Sequence, residues 1–164
     1  MKFKSFFLGL LFLVLLSSAP AIYAQGGVKT GPDPSTIRDP DLEKDSLHNL
    51  EVARNYFKLK KAYVAALNRC EEIIAGNPNF AKIEEVLYMA GRSSLSISLN
   101  KGKQSADKYV SFEGGVKRSL TPEEMRKKAR EYLTRLLEEY PDGPFAKPAK
   151  DALDELESLK PASN

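Results

Sequence analysis

Two stretches of this chain are nearly the same: CEEIIAGNPNFAK, ending at Lys82, and LLEEYPDGPFAK, ending at Lys147. Each carries an acidic and apolar tail with helical spacing, then a proline, a small polar turn and Phe-Ala-Lys. From Ala66 to Pro78 is twelve residues, and from Ala129 to Pro141 is also twelve. Within each interval a small residue is followed four later by a larger one, Cys70 or Leu133. An aliphatic follows three further on, Ile73 or Leu136, and the proline five after that. The small residue lets two helices approach closely. The proline cannot continue the helical ladder, so it resets the chain for the next pair. A joint recurring with fixed internal spacing marks a helical repeat array, in which each unit buries its apolar face against its neighbours.

The rest of the chain agrees with helix pairs. Leu47, Leu50, Ala53, Tyr56 and Phe57 recur at spacings of three and four, as do Ala62, Tyr63, Ala66, Leu67, Cys70, Ile73 and Ile74. Ile83, Val86, Leu87, Ala90 and, less cleanly, Leu95 form a third stripe. Asp39 and Pro40 offer an N-cap and a first helical residue whose missing N–H costs nothing. Lys58 to Lys61 is so short a connection that the first two helices must be antiparallel neighbours. Gly76-Asn77-Pro78 ends the second helix, with the glycine suited to a left-handed cap. Thr121-Pro122-Glu123-Glu124 starts another with a capping box. Met125, Ala129, Tyr132, Leu133, Leu136 and Tyr140 form its buried stripe. Phe145, Ala149, Leu153, Leu156 and Leu159 mark a final helix. Between the third and fourth helices, residues 100–120 break the pattern with a polar, glycine-bearing insertion of five basic and two acidic residues.

The first 24 residues read as a secretory signal peptide: basic Lys2 and Lys4, an apolar run from Ser5 to Leu16, and SSAPAIYA ending at Ala24. Cleavage there leaves a linker over 25–39, rich in glycine and proline, and a helical domain over 40–160. The 25 basic residues less Lys2 and Lys4 leave 23 against 22 acidic, a net charge of +1 for the exported chain. So even a balance argues against nucleic acid as a partner. The single cysteine, Cys70, allows no internal disulfide and does not stand at the cleavage point. The expectation is a protein exported to the periplasm, peripheral at the outer membrane at most, with no transmembrane segment in the mature chain and no lipid anchor of its own.

The spacing resembles a tetratricopeptide (TPR) array. Leu50, Ala53 and Phe57 match the first-helix positions of one unit, and Ala66, Cys70, Ile73 and Pro78 those of its second helix. Leu87, Ala90 and Gly91 match the first helix of the next unit, and Ala129, Leu133, Leu136 and Pro141 its second. Pro78 and Pro141 lie 63 residues apart, against a TPR period of about 34. The excess sits mostly in the insertion. The final helix begins a third unit and suits the role of a cap. More closely, ARNYFKLKKAYVAALNRCEEIIAGNP and AREYLTRLLEEYPDGPFAKPAKDAL resemble exported BamD-like proteins, the TPR subunits of the outer-membrane β-barrel assembly machinery. The resemblance implies an all-α fold of about two and a half repeats with an inserted loop in the second. It also implies a protein partner, with barrel-assembly components as candidates.

Candidate chemistry is sparse. His48, the only histidine, has no nucleophile or orienting partner at a suitable spacing. FEGGVKR lacks the phosphate-loop spacing and reads as a loop or hairpin tip. No HExxH, GxSxG or Cys/His cluster is present, so neither an enzyme, a cofactor nor a metal is expected. Two surfaces remain for a partner. In TPR arrays the first helix of each pair lines the concave face, which here brings up His48, Glu51, Asn55 and Lys58, then Glu85, Tyr88 and Arg92. The two-carboxylate clamp of chaperone-binding arrays is absent. The second surface is the insertion, with Lys101, Lys103, Lys108, Lys117 and Arg118 around Tyr109 and Phe112. It suits an acidic partner or anionic headgroups, or is simply a solvated loop. The alternative to a partner-binding scaffold is a small self-associating envelope adaptor.

Overall fold

The structure, a computed structural model, describes residues 38–113 and 116–159, without the side chains of residues 112, 113 and 116. The predicted signal peptide and all but the last two residues of the predicted linker lie outside the described residues. Five α-helices follow in order: α1 (Pro40–Arg54), α2 (Tyr63–Gly76), α3 (Ile83–Ser98), α4 (Pro122–Glu139) and α5 (Ala146–Ser158). A π-helical segment, Asn55–Lys60, extends α1, and a two-stranded hairpin sits between α3 and α4. Each helix packs on the next, α1 on α2, α2 on α3, α3 on α4 and α4 on α5. This is the helix-pair array expected from the repeated joint.

The helix ends form for local reasons. The Asp39 carboxylate accepts from the Asp41 and Leu42 N–H groups, with Pro40 first in the helix. Thr121 and Glu124 close the expected capping box at α4, each side chain bonding the other's backbone N–H. Arg38, just before α1, donates to the Asn79 carbonyl at 2.9 Å.

The apolar stripes meet in one core. Leu50, Ala53, Leu67, Cys70, Ile73, Val86, Leu87, Ala90, Met125, Ala129, Leu133, Leu136 and Ala149 are all essentially buried. Gly91 marks the tightest approach of α3 to α4. A Cβ there would lie 2.6 Å from the Leu133 Cγ, so only glycine admits that side chain without movement. Cys70 is fully buried, and burial pushes its thiol pKa far up, which keeps it protonated and inert.

Four local expectations are corrected. Leu47 is 37% exposed, and Ser46 takes the buried place beside it. The reason is polar: the Asn77 side chain donates to Ser46 Oγ and to Glu43, while Glu43 also accepts from the Ala81 N–H. These bonds turn the start of α1 toward the 77–81 turn. Gly76 adopts no left-handed cap. Asn77 instead leaves the helix at φ −143° and ψ 75°, and its carbonyl closes the turn by accepting from the Phe80 N–H. Among the described residues, the left-handed ones outside glycine are Lys61 (φ 49°) and Asn100 (φ 51°). The first connection is shorter than expected, because the π-helical segment carries the first helix through Lys60. Finally, the insertion is more than a loop. It holds a 3₁₀ turn, Ala106–Lys108, then β1 (Val110–Glu113) and β2 (Val116–Ser119), paired antiparallel with Val110 opposite Ser119.

Candidate partner-binding surfaces

The first helices of the three units, α1, α3 and α5, are linked side by side through polar and aromatic contacts. Arg54 of α1 donates two bonds to the Glu85 carboxylate of α3, at 2.7 and 2.6 Å. This fork raises the Arg54 pKa and holds the Glu85 carboxyl below its usual range. Arg92 of α3 donates to Glu155 of α5 at 2.6 Å, and the same carboxylate takes Lys101 at 3.6 Å. Tyr88 lies against the Phe145 ring, centroids 5.3 Å apart.

The seven groove residues predicted from the repeat therefore divide. Glu85, Tyr88 and Arg92 are held in contacts between units. His48, Glu51 and Asn55 come together on α1, where with Val52, Tyr56 and Lys60 they line a depression of about 350 Å³. His48, Glu51, Asn55 and Lys58 are exposed, and among the described residues no ion pair or side-chain hydrogen bond holds them. Helical spacing put Tyr56 in the buried stripe and singled out neither Val52 nor Lys60, yet all three line the depression. They follow His48 at steps of four, a helical row next to the one chosen. A second depression, about 520 Å³, opens between α4 and α5, lined by Glu123, Arg126, Arg130, Leu156 and Leu159 among others.

The insertion's predicted residues divide in the same way. Tyr109 is 4% exposed. Its hydroxyl donates to the Glu71 carboxylate of α2 at 3.0 Å. Tyr132 of α4 donates to the same carboxylate at 2.9 Å, and the Lys128 ammonium lies 2.7 Å from it. Lys128 also sits over both tyrosine rings. Burial, then the Glu71 charge, pushes both tyrosine pKa values up. This cluster ties the insertion to α2 and α4. Glu71 was not picked out from the sequence. The signal was an acidic residue directly beside Cys70, at the edge of the apolar stripe of α2. Arg118 forks onto Glu124, whose carboxyl it holds, with the Thr121 N–H, at a pKa of about 2. Lys101, Lys103, Lys108 and Lys117 are exposed. The Phe112 side chain lies outside the described residues, although its backbone pairs with Lys117.

Among the described residues no helix is long and apolar enough to cross a membrane. Comparison with curated proteins and with solved structures found no match. The profile of one family, described as YfiO, outer membrane lipoprotein, matches residues 49–160, which runs from α1 to the end of α5. That span holds both repeated joints and exceeds half of the chain, so the protein belongs to the YfiO family of BamD-like, TPR-type outer-membrane lipoproteins.

Proposed function

We propose that this protein is an envelope scaffold that holds a protein partner during outer-membrane protein assembly. Its mechanism is recognition by a preformed surface, without a chemical step, cofactor or metal. The observation that carries this reading is the family match over residues 49–160, which takes in both repeated joints. The depression on α1 supports a location for the contact. His48, Glu51 and Asn55 present donors and acceptors beside the Val52 and Tyr56 side chains, a mixture suited to an extended or helical peptide. Glu85, Tyr88 and Arg92 instead set the spacing of the units that display this face.

The test is affinity capture of the tagged protein from gently solubilised envelopes, with partners identified by mass spectrometry. Barrel-assembly components are expected in the eluate. A Glu51→Ala, Asn55→Ala variant should keep its helical circular dichroism and lose them. An unrelated envelope complex in the eluate would remove the assembly role. Unchanged capture by the variant would remove the α1 site.

A further inference from the structure

Two long stretches of the chain contain no acidic residue: Val52 to Cys70, and Val86 to Ala106. The fold brings their polar ends together at one end of the bundle. The Lys103 N–H donates to the Lys61 carbonyl at 2.9 Å, and the Ala65 N–H donates to Gln104 Oε1 at 2.9 Å. Gly102 makes this seam, with φ 99° and no room for a side chain against Lys61 and Tyr63. Lys58, Lys60, Lys61 and Lys103 are gathered there, all exposed. No carboxylate lies within ion-pair distance of these four among the described residues. Glu85, whose carboxyl feels Lys58, is already taken by Arg54, and Glu155 by Arg92 and Lys101. Amid the lysines stands Leu59, 74% exposed, the most exposed large apolar side chain described.

A helix C-terminus favours cations in its last turn, which accounts for Lys58 and Lys60. It does not account for Lys103, which arrives from another segment, nor for an apolar side chain held out into water. Cations around a projecting leucine suit a surface that is anionic outside and apolar beneath. An acidic protein would use the charges and leave Leu59 idle. We propose that this end of the molecule, centred on Lys58-Leu59-Lys60-Lys61 and completed by Lys103, docks on the headgroups of an anionic phospholipid membrane, with Leu59 entering the interface. The patch shares Lys60, whose ammonium lies over the Tyr56 ring, with the edge of the α1 depression, whereas Leu59, Lys61 and Lys103 lie outside that lining.

The test is flotation of the full chain with phosphatidylglycerol–phosphatidylcholine vesicles and with phosphatidylcholine vesicles alone, across a salt series. The full-length variants share one N-terminal segment, so differences among them belong to the patch. Lys61→Gln with Lys103→Gln should weaken binding to the anionic vesicles about twenty-five-fold, at about fivefold per lysine near such a surface. Leu59→Ser should weaken it about tenfold, the scale of one buried aliphatic side chain. Lys147→Gln with Lys150→Gln removes the same charge from α5 and should change nothing. The Glu51→Ala, Asn55→Ala variant should float like the parent, which keeps the failure of the groove reading distinct. No preference for anionic vesicles, an equal loss in the α5 control, or a lysine effect without a Leu59 effect would each overturn the proposal. The last result would mark the patch as a site for a soluble acidic partner.

Discussion

The two helix pairs are closed in opposite ways. α1, with its π-helical extension, turns into α2 through Lys61 and Ala62 alone, whereas α3 and α4 are separated by residues 99–121. Yet both pairs pack at the same joint, with Ala66 and Cys70 in one and Ala129 and Leu133 in the other fully buried. Loop-closure cost rises by only about 0.6 kcal/mol for each doubling of length. The longer connection is thus a modest handicap, on the order of 2 kcal/mol. It is offset by bonds that tie the insertion down: Lys103 to Lys61, Gln104 to Ala65, and Tyr109 to Glu71. Close helix approach sets the geometry of the pair, and the connection only has to permit it.

The strongest test of that claim is to hollow the joint in each pair. Leu133→Ala should cost about 2–5 kcal/mol in urea denaturation, the range for a buried leucine. Cys70→Ala, at the matching position of the first pair, removes a single heavy atom and should cost about 1 kcal/mol. Equal losses would mean that the two joints are not equivalent. A smaller effect follows from filling the second joint. Gly91→Ala forces a Cβ against the Leu133 Cγ, so overpacking of about 1–3 kcal/mol should exceed the gain of roughly 1 kcal/mol from helix propensity. With Leu133→Ala also present the new methyl has space, and the pair should cost less than the sum of the two. Strict additivity would show that Gly91 is not there to admit Leu133.

The insertion can be loosened while the joint is left alone. Tyr109→Phe removes one of the hydroxyls on Glu71 but leaves Tyr132 and Lys128 in place. The expected loss is about 1–2 kcal/mol, as for a bond to a charged group. It should appear locally: faster amide exchange in β1 and β2, with α2 and α4 retaining their protection. If α4 loosened together with the strands, the insertion would be part of the packing unit and not merely tied to it.

The helices were legible because their information is local and periodic. Stripes such as Val86, Leu87 and Ala90, and caps such as Thr121-Pro122-Glu123-Glu124, state their structure within a few residues. Gly91 was legible through the repeat. What escaped depends on partners distant in sequence. Ser46 displaces Leu47 from the interior because Asn77, 31 residues away, bonds to it. Glu71 collects Tyr109 and Tyr132 from 38 and 61 residues away. The groove was half legible for the same reason. Helical spacing finds the face of α1, but it cannot tell that Glu85 and Arg92 have matching charges on the neighbouring helices.

The smallest expected effect concerns those charges, and it separates contact between units from closure within them. No loop joins α1 directly to α3; the Arg54–Glu85 fork does so through side chains. Arg54, followed by burial acting in the opposite sense, lowers the Glu85 carboxyl below its ordinary value of 4.5. In the unfolded chain that carboxyl returns to its ordinary value. Between the two values the unfolded state binds more protons, so stability rises with pH there. The contribution is complete above 4.5 and is lost as pH falls through the lower, folded value. Both side chains remain partly open to solvent, Arg54 at 30% and Glu85 at 16%, and screening keeps the contribution under about 1 kcal/mol. Glu85→Gln should therefore lower stability slightly at neutral pH, lose less than the parent on acidification, and meet it below the folded-state value. Chemical denaturation across an acid series reads this directly. Parallel curves for the two proteins would mean that the fork adds nothing specific, and that the units are held together by the apolar core alone.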